Sequence, residues 1–371
     1  MTEPYWITAD HVFDGETLRP GLGLRIDKGQ GVEVGPPPAD AQAIPGVIAP
    51  GFIDLQVNGG GGVMVNTTPT RDGLATIADA HAKLGTSAIL PTVITDGPDV
   101  LDRAADAVRT AKTDRRILGL HIEGPHIATA KRGTHHAAFI RPLDARTIEV
   151  VSALRADGIA VMITLAPEAA TTAQIAELAA MGAVVSIGHT DASASQVNAA
   201  IEAGATCATH LYNAMSQMSG RAPGAVGAVL NSHIAAGIIC DGHHVDDGMI
   251  ALALRARPVP DRMFLVSDAM ATVGGPNTFA LYGQTITVDG GRLINAEGNL
   301  AGAHTTMAEG VARLVQSVGV SLEQALRMAI TTPARLINQP DRRHLVGQCI
   351  QDLQVIHADM TISPLPHTKT G

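Results

Sequence analysis

IAVMITLAPEAATTAQIAELAAMGAVVSIGHTDASASQVNAAIEAGATCATH, residues 159–210, alternates three apolar runs with two Ala-rich segments. The runs IAVMITL, AVVSIGH and ATCATH have strand length and an almost unbroken apolar character, as strands buried on both faces require. The segments between them, Thr172–Met181 and Ala192–Ala203, read as helices, with Thr190 or Asp191 available to cap the second. Strand, helix, strand in this order builds a parallel sheet.

The same rhythm begins at Pro50 and continues beyond this stretch on its C-terminal side. Eight apolar runs end in a polar or ionisable residue: Asp54–Gln56, Thr92, Glu123, Thr164, His189, His210, Asp241 and Asp268. Further helical segments are predicted at Arg71–Leu84, Asp99–Lys112, Asp144–Ala156 and Asp246–Ala256. This is the pattern of a (β/α)8 TIM-like barrel, in which every strand points its C-terminal end at one mouth. Residues 1–48 instead carry short alternating runs broken by Gly and Pro, and the tail HLVGQCIQDLQVIHADM returns to that character. The expected organisation is a barrel at 49–334 flanked by a small β-sandwich domain, built from N-terminal residues 1–48 and C-terminal residues 335–371. A hairpin-like ITVDGGRLINAEGNLAG interrupts the barrel after Asp268, with helices expected at Thr305–Ser317 and Ser321–Ile330, and Gly59–Gly62 reads as a flexible loop at the mouth.

Bulk properties narrow the function. Of 371 residues 46% are hydrophobic but only 2% aromatic, so the core is filled by Ala, Val, Ile and Leu. A formal net charge of −9 offers no broad basic field for nucleic acid, while leaving room for one local cationic pocket. Cys207, Cys240 and Cys349 have unrelated spacings, which give neither a disulfide framework nor a zinc–thiolate pattern. The sequence MTEPYWITADHVFDG has no basic stretch followed by an apolar core, and no run reaches membrane-spanning length. A soluble cytoplasmic protein is expected.

At the mouth, Glu123 with His189 and His210 is a sufficient ligand set for one catalytic divalent ion, zinc by default, with Fe2+, Co2+ or Mn2+ as alternatives. Asp268 would stand beside the open position as a proton carrier. Each residue also has a plainer reading: Glu123 paired with a loop cation, the histidines packed or hydrogen-bonded, Asp268 capping a helix. Two histidines on successive strands with a carboxylate two strands earlier favour the metal.

Several motifs now acquire meaning together. PGFIDLQVNGGGG, GLHIEGPHI, KRGTHH, SIGHTDAS, THLYNAMSQMSGRAPG, DGHHV, SDAM and EGNLAGA stand in this order. In that order the chain resembles the N-acetylglucosamine-6-phosphate deacetylases of the amidohydrolase superfamily, from about Pro50 to Ala334. The resemblance implies a metal-dependent hydrolase whose small-molecule partner is an amino-sugar phosphate. It implies metal ligation by Glu123, His189 and His210, with Asp268 as general base and then acid. It further implies that His135 contacts the sugar or amide carbonyl, and that Asn213 and Ala214 offer donors to the phosphate. Arg221 and His244 would be the phosphate-binding pair, reaching a neighbouring subunit's site in a homodimer. Where many superfamily members carry His-x-His, this chain has Gln56-Val57-Asn58. One tightly held ion is therefore expected, with Gln56 as a weak or indirect contact. His126 replaces the large apolar residue more usual after the E-G-P motif, and reads as a loop histidine or a substrate contact.

Overall fold

The computed structural model describes residues 3–295, 298 and 300–366. Eight parallel strands form one sheet in chain order: β1 (Phe52–Val57), β2 (Thr86–Ile94), β3 (Gly119–Glu123), β4 (Ala160–Leu165), β5 (Val184–Ile187), β6 (Cys207–Ala208), β7 (Ala235–Ile238) and β8 (Met263–Leu265). Between them run α1 (Arg71–Ala82), α2 (Pro98–Ala111), α3 (Ala145–Ala156), α4 (Thr172–Ala180), α5 (Ala194–Glu202), α6 (Gly224–Leu230) and α7 (Asp247–Ala256). Local chemistry sets their starts. Thr171 and Ser193 each form a capping box with the glutamine three residues on, and Pro98 occupies the first turn of α2. Ser193 thus takes the capping role expected of Thr190 or Asp191; Thr190 Oγ1 instead donates to Glu168 Oε2 at 2.5 Å.

Side-chain alternation sorts each strand into two environments. Leu120, Ile122, Val161, Ile163, Val185 and Ile187 pack outward in the main core, which also holds Leu154, Leu178 and Val197 from the helices. Met162, Cys207 and Phe264 fill the lower barrel with Ile53 and Leu55. Above them lies a buried polar layer. Thr92 and the Leu55 carbonyl flank His121 Nδ1, His121 Nε2 meets Thr164 Oγ1 at 2.7 Å, and Thr209 Oγ1 bridges Thr164 and Ser186 at 2.6 Å each. Burial lowers His121 to about 4, so it is neutral there.

The sheet closes between β8 and β1 by an unusual seam. Among the described residues, backbone pairing there is a single parallel bridge, Val57 with Ala269. Below it Asp54 accepts hydrogen bonds from the backbone N–H of Ser267 at 3.3 Å and from its hydroxyl. Asp54 is wholly buried, and burial pushes its carboxyl up to about 7 against the pull of those bonds.

The terminal segments pair as expected from their alternation. One sheet orders Gln30–Gly35, Gly23–Asp27, Tyr5–Thr8 and Gln42–Ala43; the other orders Ile362–Pro364, Leu353–Ile356, Val47–Pro50, His11–Phe13 and Leu18–Pro20. Ile7, Leu24, Ile48, Leu353 and Val355 form their shared core. The interruption after β8 is a four-stranded antiparallel sheet (Thr278–Leu281, Gln284–Asp289, Arg292–Ile294, Leu300–Ala303), packed on Met64, Ile94 and Met270 at the mouth. Glu297 and Asn299 of the EGNLAGA motif lie outside the described residues, as do tail residues 367–371. No helix among the described residues is long and apolar enough to cross a membrane.

Candidate metal centre and active-site cavity

Strand ends deliver the ligand set. Glu123 is the last residue of β3, and His189 and His210 follow β5 and β6 by two residues each. All three are buried, and Glu123 Oε1 lies 3.2 Å from His189 Nε2 and 2.9 Å from His210 Nε2. The two Nε2 atoms are themselves 3.1 Å apart. His189 Nδ1 is 2.8 Å from the Lys131 carbonyl, which only accepts, so Nδ1 carries a proton and the ring is turned with Nε2 facing Glu123 and His210. Burial works against a charge on Glu123, yet hydrogen bonds and positive charge from His189 and His210 hold its carboxyl well below the usual range. An anionic oxygen and imidazole nitrogens aimed at one point suit a divalent cation by donor type and number. The cluster fits the ion that the sequence implied.

Asp268 comes in from the loop after β8. Its Oδ1 accepts from Asn58 Nδ2 at 2.7 Å and from Gln56 Nε2 at 3.0 Å; the same Gln56 nitrogen donates to Glu123 Oε1 at 3.0 Å. Burial, with the negative charge of Glu123, pushes the Asp268 carboxyl up to about 6. His189, His210 and Asp268 all have left-handed backbone, with φ of 47°, 30° and 52°. Such strain in non-glycine residues persists where surrounding structure over-determines it, commonly at functional sites.

His135 lies behind His189, ring centroids 4.4 Å apart, and its Nδ1 is 2.6 Å from Thr95 Oγ1. Burial and the charge of His189 lower it to about 3, leaving a neutral ring. These groups open onto a cavity of about 580 Å³, lined also by Asn58, Asn213, Ala214 and His244. That size suits a phosphorylated monosaccharide. His244, expected to serve a neighbour, lines this chain's own cavity, its Nδ1 2.7 Å from Asp241 Oδ2. The Asp241 side chain also accepts from the backbone N–H groups of His243 and His244, so the carboxylate at the end of the seventh run orients a loop. Arg221 stands exposed on the loop before α6 and is not among the residues lining the cavity. His126 is buried, with Nε2 2.9 Å from Thr147 Oγ1 and Nδ1 near the carbonyls of Arg141 and Pro142; it ties down a loop and does not face the cavity. The contacts that orient the site, Lys131 on His189, Thr95 on His135 and Asn58 on Asp268, had no signal in the sequence beyond lying in or near the motifs.

Comparison with known proteins agrees with this architecture. The amidohydrolase family profile matches residues 47–343. The N-acetylgalactosamine-6-phosphate deacetylase of Shewanella sp. (strain ANA-3) is 43% identical over 299 residues, 80% of this chain and 75% of that one. The N-acetylglucosamine-6-phosphate deacetylase of Haemophilus influenzae is 38% identical over 299 residues, 79% of this chain and 77% of that one. The crystal structure of the N-acetylglucosamine-6-phosphate deacetylase from Pasteurella multocida superposes with a TM-score of 0.89 at 35% identity, covering 97% of both chains.

Proposed function

The chain belongs to the amidohydrolase family, among its amino-sugar-phosphate deacetylases, and we propose that it hydrolyses N-acetyl-D-glucosamine 6-phosphate to D-glucosamine 6-phosphate and acetate. The observation that carries this reading is the Glu123–His189–His210 cluster meeting Asp268 at the wall of one sugar-sized cavity. A divalent ion held by those three residues, zinc by donor type with iron, cobalt or manganese as alternatives, supplies Lewis acidity toward an amide carbonyl and acidifies water.

The chain's own groups account for the proton traffic. Asp268 accepts the proton of the attacking water and returns it to the nitrogen as the C–N bond breaks, so the amine leaves neutral. Neutral His135, its ring fixed at Thr95, donates to the carbonyl oxygen as negative charge develops. Asn213, Ala214 and His244 offer donors to the phosphate from within the cavity. Arg221 is the remaining phosphate group in this reading, and its exposed position suits delivery to a second subunit in a homodimer. A dianionic sugar phosphate does not leave the cell, so the enzyme is read as cytoplasmic.

A second reading changes only the sugar. The Shewanella relative carries the name of the galacto epimer's deacetylase, and epimer choice turns on one hydroxyl contact. Acetate release is therefore measured on both 6-phosphates and on unphosphorylated N-acetylglucosamine, with enzyme of known metal content. Preference for the phosphorylated gluco sugar supports the proposal, and preference for the galacto sugar moves it to the second reading. Inactivity of metal-loaded protein on all three would sink both.

A further inference from the structure

Gln56 and Asn58 occupy the end of β1 where a His-x-His pair would bring imidazoles to a second ion. Here they do something else. Asn58 Nδ2 and Gln56 Nε2 both donate to the same atom, Asp268 Oδ1, at 2.7 and 3.0 Å, and all three side chains are buried. Among the described residues no donor lies on Oδ2. Asn58 is itself fixed, because its backbone N–H donates to the Ala269 carbonyl at 2.9 Å and its Nδ2 also reaches the Asp268 carbonyl at 3.3 Å. Its Oδ1 is buried without a partner, so the amide is oriented by what its nitrogen does.

We infer that Asn58, assisted by Gln56, is the positioning residue for the proton-carrying carboxylate, and that Oδ2 of Asp268 is the oxygen that takes the proton. This rests on the hydrolase reading above. The chemistry favours two donors on one oxygen. When Oδ2 takes a proton from water, Oδ1 becomes a carbonyl-like acceptor and keeps both hydrogen bonds. Donors split between the two oxygens would lose one at that moment. The clamp therefore holds the carboxyl in one orientation while the proton arrives from water and departs to nitrogen. Gln56 adds a second service. Its one NH2 group spans Glu123 and Asp268, giving each of two like charges a donor and fixing the spacing between ligand and base.

The test is a double-mutant cycle on metal-loaded enzyme: Asn58→Leu, Asp268→Asn and the two combined, with metal content, melting temperature, kcat and KM for each. Asn58→Leu is expected to lower kcat about ten- to a hundredfold with KM within about threefold of wild type and full metal occupancy. In the Asp268→Asn background the same change should cost less than about twofold, since the group it positions is already gone. Full additivity overturns the inference, as does wild-type kcat in Asn58→Leu, or loss of metal with loss of rate, which would place Asn58 at the ion instead. If Asn58→Leu does not fold, Asn58→Ser, a smaller side chain with a shorter donor, enters the same cycle and is judged by the same coupling. Wild-type enzyme inert on every sugar would sink the functional reading itself, whatever Asn58 does.

Discussion

With burial and the charge of Glu123 pushing its carboxyl up to about 6, Asp268 is the group whose ionisation sets the acid side of the pH profile. Only the ionised form accepts a proton, so kcat/KM falls as pH drops through that value, and a neighbouring cation, which stabilises the ionised form, moves the limb lower. A pH–rate profile from about pH 4.5 to 9 should place the acid limb at or below about 6. A limb above neutrality would argue against Asp268 as base. Asp268→Asn should lower kcat by about 10²–10⁴-fold with metal retained, whereas Glu123→Gln should lose the ion, as elemental analysis would show. These residues were legible in the sequence because each is a polar group ending an apolar run. Their orientation was not: the Asn58–Asp268 hydrogen bond joins residues 210 apart and leaves no local periodicity to read.

Among the elements, helices with one clear apolar face were legible to within about two residues. The helix α6, GAVGAVL, was not, because all seven of its residues are buried and two are glycine, so it shows neither an amphipathic stripe nor good helix formers. The β1–β8 seam was equally hidden, since Asp54 reads as one more polar residue at the end of a run. Its chemistry makes a separate prediction. Folded Asp54 sits at about 7 and an unfolded aspartate near ~3.9, so between those values the native state holds the extra proton. The stability this group contributes is complete below ~4 and is lost as pH rises through about 7. Melts of wild type and Asp54→Asn at several pH values should diverge accordingly. Wild type should fall relative to the variant between about pH 4 and 7, by up to ~1.4 kcal/mol per pH unit, and the two should run parallel above that. Parallel curves would mean that Asp54 titrates normally.

For the molecule as a whole, one chain brings all the proposed site groups but Arg221 to its own cavity or its wall. His244 belongs to its own cavity, while Arg221 stands away from it on an exposed loop. Arg221→Ala should raise KM for the phosphorylated sugar about tenfold or more and leave the unphosphorylated sugar unchanged. If Arg221 serves a neighbour, mixing inactive Asp268→Asn with Arg221→Ala subunits should restore sites of wild-type affinity in mixed dimers. Light scattering gives the assembly state directly, and no recovery on mixing would return Arg221 to its own chain or to solvent. The seam also bears on how the protein is made. Asp54 and Ser267 meet across 213 residues, and the proton carrier is clamped by a residue beside the first barrel strand. At about 5–20 residues per second, a nascent chain leaving the ribosome must shelter the open edge of β1 for about ten to forty seconds before its closing partner is synthesised. Ribosome stalling short of Ser267 would release a chain with an unpaired strand and an undocked base, a natural client for chaperones and a ready target for proteases.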